Sequence, residues 1–314
     1  MPILSAMPQT FGRRHFIALS AAFARSVSAQ NGPEFKFPAE PRERLAVSTY
    51  PFRSVISSPQ AQDGEPTAGR MSLEQFAGTI RSRLNVAGIE PWSHHFKSTD
   101  LAYARHLSAS FKSSGVRVVN IPVDLSTKLC GTSEERQAGL ATYQSWIDVA
   151  VILGSPGIRV HLPHGEQGDQ IACSVSALKA LAAYGASKNI VVALENDEPE
   201  TEQPERIAKV IETVNSPFLR ALPDFCNAML VHDDREYDYR AMALLFPLAY
   251  HISHVKDEES SDTGKVYTVD VDRIFAIAQK TRYRGFFSME WEGSGDPYEG
   301  SAKLIEASIR NLSR

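Results

Sequence analysis

From Leu45 to the end of the chain, short apolar runs alternate with longer stretches patterned for helices, and this alternation constrains the fold more than any other feature. The runs are 45–49 (LAVST), 86–90 (VAGIE), 116–121 (VRVVNI), 157–161 (GIRVH), 190–195 (IVVALE), 219–224 (LRALPD), 250–256 (YHISHVK) and 285–290 (GFFSME). Between them lie patterns such as 132–153, where Leu140, Tyr143, Ile147 and Ala150 recur at helical spacing and make one buried stripe. Parallel strands in this number close more naturally into a barrel than into an open doubly wound sheet, which has about five or six strands. No G-x-G-x-x-G follows the first run, which argues against dinucleotide binding. The expected fold is therefore α/β: a single (β/α)8 TIM barrel over residues 45–314, with 54–70 as a long first loop rich in Ser, Gln, Gly and Pro.

Residues 31–44 read as a Pro-rich connector. Ahead of it, Arg13 and Arg14 precede an apolar stretch from Phe16 to Ala24 and the small-residue pattern Val27-Ser28-Ala29. Residues 1–30 thus read as an export signal of the twin-arginine type, giving a periplasmic protein; without a signal the chain would be cytoplasmic. Cys130, Cys173 and Cys226 are too widely spaced for a disulfide framework or a zinc motif, although an oxidising compartment would allow one incidental bridge. The formal charge of −4, with acids and bases interspersed, leaves no basic stripe for a phosphate backbone, so nucleic acid is not an expected partner. No run approaches the roughly 18 apolar residues of a membrane span.

The chemistry is written at the strand ends, where barrel enzymes keep their catalytic groups. The runs expected fifth, sixth and eighth end in Glu195, Asp224 and Glu290, and the seventh carries His254. Four such groups converging on a barrel mouth would repel one another unless a cation lay between them. Three carboxylates and one imidazole suit Mn²⁺ first, then Mg²⁺, Co²⁺ or Zn²⁺. Lys256, two residues beyond His254, falls on the same side of a continuing strand and could stabilise an oxyanion, or could pair with Asp257 or Glu258.

Several other side chains are candidates for binding substrate. His161 and His164 flank the end of the fourth run, and Glu90, Trp92 and His95 follow the second, where they could form a sugar-binding wall. Tyr50 and Arg53 lie just past the first run. Gly293-Ser294-Gly295 sits where many barrels hold a phosphate, a position a tight turn explains equally.

The phrases Ala193-Leu194-Glu195-Asn196, Pro223-Asp224-Phe225-Cys226-Asn227, Ser253-His254-Val255-Lys256-Asp257 and Ser288-Met289-Glu290-Trp291-Glu292-Gly293 resemble the strand-end motifs of the xylose isomerase-like sugar isomerase/epimerase superfamily, and the similarity runs over most of 45–312. The resemblance implies that Glu195, Asp224, His254 and Glu290 are metal ligands and that the two glutamates double as the acid/base pair. It also implies a carbohydrate substrate and, since barrels of this superfamily often associate, a homo-oligomer. Ketose 3-epimerases of the superfamily carry a histidine where this chain has Asn227 and an arginine where it has Ser260, so a direct assignment to that activity does not follow. Asn227 remains a candidate for binding a substrate hydroxyl.

The expected reaction is proton abstraction beside a sugar carbonyl, through an enediolate, on a free or modified sugar. The same abstraction expels a leaving group on the β-carbon, so a keto-glycoside lyase competes with the isomerase/epimerase reading. A metal nuclease like endonuclease IV would need a basic groove and a richer His/Asp/Glu cluster. A sugar-binding barrel without catalysis is the remaining alternative.

Overall fold

The computed structural model describes residues 32–59, 70–125, 128–164, 171–261 and 263–314. The export-signal reading of 1–30 and most of the long first loop fall outside the described residues. The strands are β1 (Leu45–Ser48), β2 (Gly88–Glu90), β3 (Arg117–Val118), β4 (Pro122–Val123), β5 (Gly157–Val160), β6 (Val191–Glu195), β7 (Leu219–Leu222), β8 (Ile252–Val255), β9 (Glu258–Ser260), β10 (Val266–Thr268) and β11 (Phe286–Met289). Parallel pairing runs β3-β2-β1-β11-β8 on one side and β4-β5-β6-β7 on the other. Bridges Ala221↔Ala249 and Asp224↔His254 join β7 to β8. The result is the TIM barrel that the alternation predicts, with β9 and β10 added as an antiparallel hairpin beyond the seventh barrel strand.

The third barrel strand departs from expectation. Instead of one run over 116–121, β3 pairs with β2 and β4 pairs with β5. The ladder changes partner around Asn120, whose side chain is wholly buried, and just before Pro122, which has no N–H to donate.

Covering helices follow the strands: α1 (Leu73–Leu84), α2 (Leu101–Ser113), α3 (Ser133–Leu153), α4 (Ile171–Lys188), α5 (Pro204–Val214), the short α6 (Met229–His232), α7 (Arg235–Leu245), α8 (Val271–Lys280) and α9 (Pro297–Leu312). Their starts are coded locally. Ser72 with Gln75 and Thr132 with Glu135 form reciprocal capping boxes on α1 and α3. On α3, Tyr143, Ile147 and Ala150 are buried and Leu140 packs partly against the core. Among the described residues no helix is long and apolar enough to cross a membrane.

Strand alternation sorts the residues into two cores. Leu45, Val47, Ile89, Ile158, Val160, Val192, Leu194, Phe287 and Met289 face the helices in the main cluster. The opposite parity faces the barrel interior, where Ala46, Val119, Ala193, Leu222, Ile252 and Phe286 form a separate apolar cluster. Two residues further along the same faces come Ser48, Glu195, Asp224, His254 and Ser288. A polar layer therefore sits on an apolar floor at the carboxyl ends of the strands.

The connector packs against the barrel: Phe35 and Phe37 stack edgewise on Phe286, Phe37 also meets Tyr250, and the Tyr250 hydroxyl donates to the Pro33 carbonyl at 2.7 Å. Residues Pro33–Arg314 form one compact unit. Cys130 and Cys173 are disulfide-bonded, tying the approach to α3 to the first turn of α4, while Cys226 is free and buried.

Candidate metal centre

Glu195 ends β6, Asp224 lies two residues past β7, His254 is in β8 and Glu290 follows β11; all four are buried. One ligand atom from each lies within 4.8 Å of the others. His254 Nδ1 is the hub, 2.6 Å from Glu195 Oε1, 2.8 Å from Glu290 Oε2 and 3.9 Å from Asp224 Oδ2. Its other nitrogen, Nε2, is 3.0 Å from both oxygens of Glu90.

The donor set fits a hard divalent ion. Glu195 Oε2 and Asp224 Oδ2 are buried and make no hydrogen bond among the described residues; Arg159 Nε at 2.9 Å and Lys256 Nζ at 3.5 Å are their ion-pair neighbours, and a shared metal ion would coordinate both oxygens directly. Asp224 Oδ1 accepts from the backbone N–H groups of Cys226 and Asn227, each at 2.9 Å, which aims the carboxylate. Ser48 donates to Glu290 Oε1 at 3.0 Å.

Without a metal the carboxylates are balanced by three buried cations. Burial opposes the His254 imidazolium, but Glu195, Glu290 and Glu90 outweigh it and hold its pKa well above the usual histidine value. Lys256 is 3.5 Å from Asp224 Oδ2, 3.6 Å from Glu290 Oε2, 2.9 Å from Glu259 Oε2 and 2.5 Å from Glu292 Oε1. Its partners are thus Glu259 and Glu292 together with Asp224 and Glu290, in place of the Asp257 or Glu258 that adjacency suggested. Arg159 stands 2.9 Å from Glu195 Oε2. The two glutamates differ. Burial pushes the Glu195 carboxyl up to about 8 despite His254 and Arg159. Burial acts likewise on Glu290, yet His254 and Lys256 outweigh it and hold Glu290 well below the usual carboxylate range.

Two members of the expected sugar-binding wall are drawn inward. Glu90 is wholly buried and its carboxylate is taken up by His254 and by Asn120 Nδ2 at 2.7 Å, because strand parity turns it into the barrel. His95 is also buried, with Nδ1 2.8 Å from the Thr49 hydroxyl, and burial lowers its pKa to about 3. Trp92 is half-buried, stacked on His94 and edge-on to Tyr50, and its indole N–H donates to Asp124. Arg53 is exposed over the Tyr50 ring.

His161 lies between Asp124 and Glu202. Burial and the Arg159 charge oppose its protonation, but the two carboxylates raise its pKa to about 10. His161, Asp197 and Glu202 also converge closely enough to hold a cation. Arg159 Nη2, 3.8 Å from Asp197, and its contact with Asp124 already supply one there. His164 is exposed and, with His161, Leu125, Glu198 and Thr201, lines a pocket of about 410 Å³. Asn227 is buried; its Oδ1 accepts from Lys256 at 3.0 Å, while Nδ2 has no partner among the described residues. Gly293–Gly295 is a turn, with Gly295 at φ +124° and Asp296 capping α9, and an acidic cap does not suit a phosphate.

Sequence reasoning passed over Arg159, Asn120, Asp124, Glu202 and His251. Arg159 had a signal: a charge inside GIRVH, on the same parity as His161.

A family model described as a xylose isomerase-like TIM barrel matches residues 81–313. A solved xylose isomerase-like TIM barrel protein from Mycobacterium smegmatis, in complex with magnesium, is similar at a TM-score of 0.67 and 16% identity, covering 91% of this chain and 98% of its own. A D-allulose 3-epimerase from Methylomonas sp., in complex with D-allulose, gives 0.63 at 16% identity, covering 88% and 98%. The apo 3-keto-D-glucoside 4-epimerase from E. coli gives 0.61 at 15%, covering 85% and 98%. At these identities the likeness speaks for the fold. No curated protein matches the chain in sequence.

Proposed function

The chain belongs to the xylose isomerase-like TIM-barrel family, and on that premise we propose that it is a divalent-metal-dependent sugar isomerase or epimerase, with Glu195, Asp224, His254 and Glu290 as ligands and Mn²⁺ as the preferred ion. The observation that carries this reading is the buried quartet, with one ligand atom of each member within 4.8 Å of the others.

A bound divalent ion supplies Lewis-acid polarisation of a sugar carbonyl and the neighbouring hydroxyl, and stabilises the enediolate charge. Glu290, aimed by the Ser48 hydroxyl and 3.6 Å from Lys256, is the base for the C–H proton. Glu195, beside Arg159, returns a proton to the other carbon or the other face. The Lys256 ammonium stabilises developing negative charge on the substrate. Asn227 Nδ2 donates to a substrate hydroxyl. Trp92 offers an aromatic surface to the sugar's C–H groups, and His161 and His164 bound the substrate on the side of β5.

A second reading is β-elimination from a keto-glycoside by the same residues: a pocket of about 410 Å³ lined by His161, which meets Arg159, the partner of Glu195, offers a leaving group somewhere to sit. Solvent deuterium exchange followed by proton NMR over free ketoses and keto-glycosides separates the readings. Deuterium incorporation with a rearranged sugar supports the isomerase; release of the aglycone, with the α-proton lost to a new double bond, supports the lyase. Binding without exchange would leave a sugar-binding barrel.

Export of the chain to the periplasm is part of the proposal, and the Cys130–Cys173 bond, which suits an oxidising compartment, supports it. Periplasmic fractionation of the full chain, compared with an Arg13→Lys/Arg14→Lys variant, tests it.

A further inference from the structure

Behind the His254 ring a hydrogen-bonded line crosses the barrel interior. His254 Nε2 meets both oxygens of Glu90 at 3.0 Å, Asn120 Nδ2 donates to Glu90 Oε1 at 2.7 Å, and Asn120 Oδ1 is 2.9 Å from His251 Nε2. All four residues are 0% exposed. They come from β2, the break between β3 and β4, the approach to β8, and β8 itself, so none of the contacts is an accident of adjacency.

The proton directions in this line admit one consistent set. A carboxylate only accepts, so Asn120 must turn its amide NH2 to Glu90 and its oxygen to His251. His251 must then carry its proton on Nε2, and its Nδ1 is the atom left without a partner among the described residues. Burial keeps that ring neutral, lowering its pKa to about 3. At the other end, Glu90 accepts from His254 Nε2–H, which commits Nδ1 to the side where Glu195 and Glu290 converge. The backbone makes room for the arrangement: a Cβ on residue 157 would overlap His251 Nε2, so Gly157 at the start of β5 admits the ring.

We propose that Glu90, itself held by Asn120 and His251, is the positioning residue that fixes the His254 ring and presents Nδ1 to the metal centre. The effect of the metal rests on the reading of the quartet as ligands; the orientation of the ring does not. Carboxylates behind a metal-bound histidine make the ring a better and better-aimed ligand.

The test compares wild type, Glu90→Gln and Glu90→Gln/Asn120→Asp. A glutamine has one acceptor for the two donors that face Glu90. The double variant restores the pattern: the introduced amide would accept from His254 and donate to the new carboxylate, which still accepts from His251. ¹⁵N-histidine NMR of the metal-free proteins reads the His254 Nε2 proton, and calorimetry with Mn²⁺ reads affinity. The expected result is a protected Nε2–H in wild type, its loss in Glu90→Gln with affinity weakened about 10–100-fold, and recovery of both in the double variant. An unprotonated Nε2 in wild type would overturn the proposal without any variant. So would a folded Glu90→Gln protein that binds Mn²⁺ as wild type does, or a folded double variant that recovers neither signal nor affinity. If wild type binds no metal but keeps the protected Nε2–H, and the variants lose and regain it, the metal reading falls and the positioning role stands.

Discussion

Arg159 Nε stands 2.9 Å from Oε2 of Glu195, the oxygen that His254 does not take, and the same guanidinium reaches Asp124 and Asp197. One side chain from β5 therefore balances carboxylates at the ends of the third and fifth barrel strands, on either side of its own. Desolvating an arginine is costly, and only several anionic partners make the position tenable.

Removing that charge leaves Glu195 Oε2 buried without its cation and Asp124 with His161 and Trp92 alone. Arg159→Met is expected to lower stability by about 3–5 kcal/mol, with Arg159→Lys intermediate because an ammonium cannot span the partners as a planar fork does. Urea unfolding of the metal-free proteins measures this. A loss within about 1 kcal/mol, the scale of a surface pair, would contradict the balancing role.

The barrel was legible because period-2 alternation and helical stripes survive in a single sequence, and the quartet because its members end their strands. Positions facing each other across the interior were not. Glu90 ends its run as Glu195 does, and looked equally available to a sugar; its partner His254 is 164 residues away, and only closure of the barrel brings the two together. The split of the third strand falls at Asn120, whose partners Glu90 and His251 lie 30 and 131 residues away in sequence. Lys256 was read against its chain neighbours Asp257 and Glu258, whereas the turn into the β9–β10 hairpin hands it Glu259, and strand eight hands it Glu292.

Asp238, on α7, is wholly buried with neither oxygen hydrogen-bonded among the described residues. Burial, then the Asp224 charge, raises its pKa from 3.8 to about 9. The folded state thus holds a proton that the unfolded chain releases, so this group's contribution is full below pH 3.8 and is lost as pH rises toward 9. The slope is about 1.4 kcal/mol per pH unit between those values. Asp238→Asn, which keeps the shape and cannot ionise, should be more stable than wild type at pH 8 and show a flatter profile in thermal melts from pH 5 to 9. Parallel profiles would sink this assignment.

The Cys130–Cys173 bond closes a loop with a sequence separation of 43. Chain-entropy reasoning gives such a crosslink roughly 2–4 kcal/mol. A Cys130→Ser/Cys173→Ser variant should unfold at correspondingly lower urea, with a steeper slope because the uncrosslinked unfolded chain exposes more surface. Identical midpoints would mean that the bond adds nothing to the folded state.

The account stands or falls on the quartet. Calorimetric titration of chelator-stripped wild type with Mn²⁺, beside a Glu195→Ala/Glu290→Ala variant shown by circular dichroism to be folded, tests it most directly. Saturation at about one ion per chain in wild type and no binding in the variant is the predicted result. No binding in wild type, or equal binding in both, would contradict it.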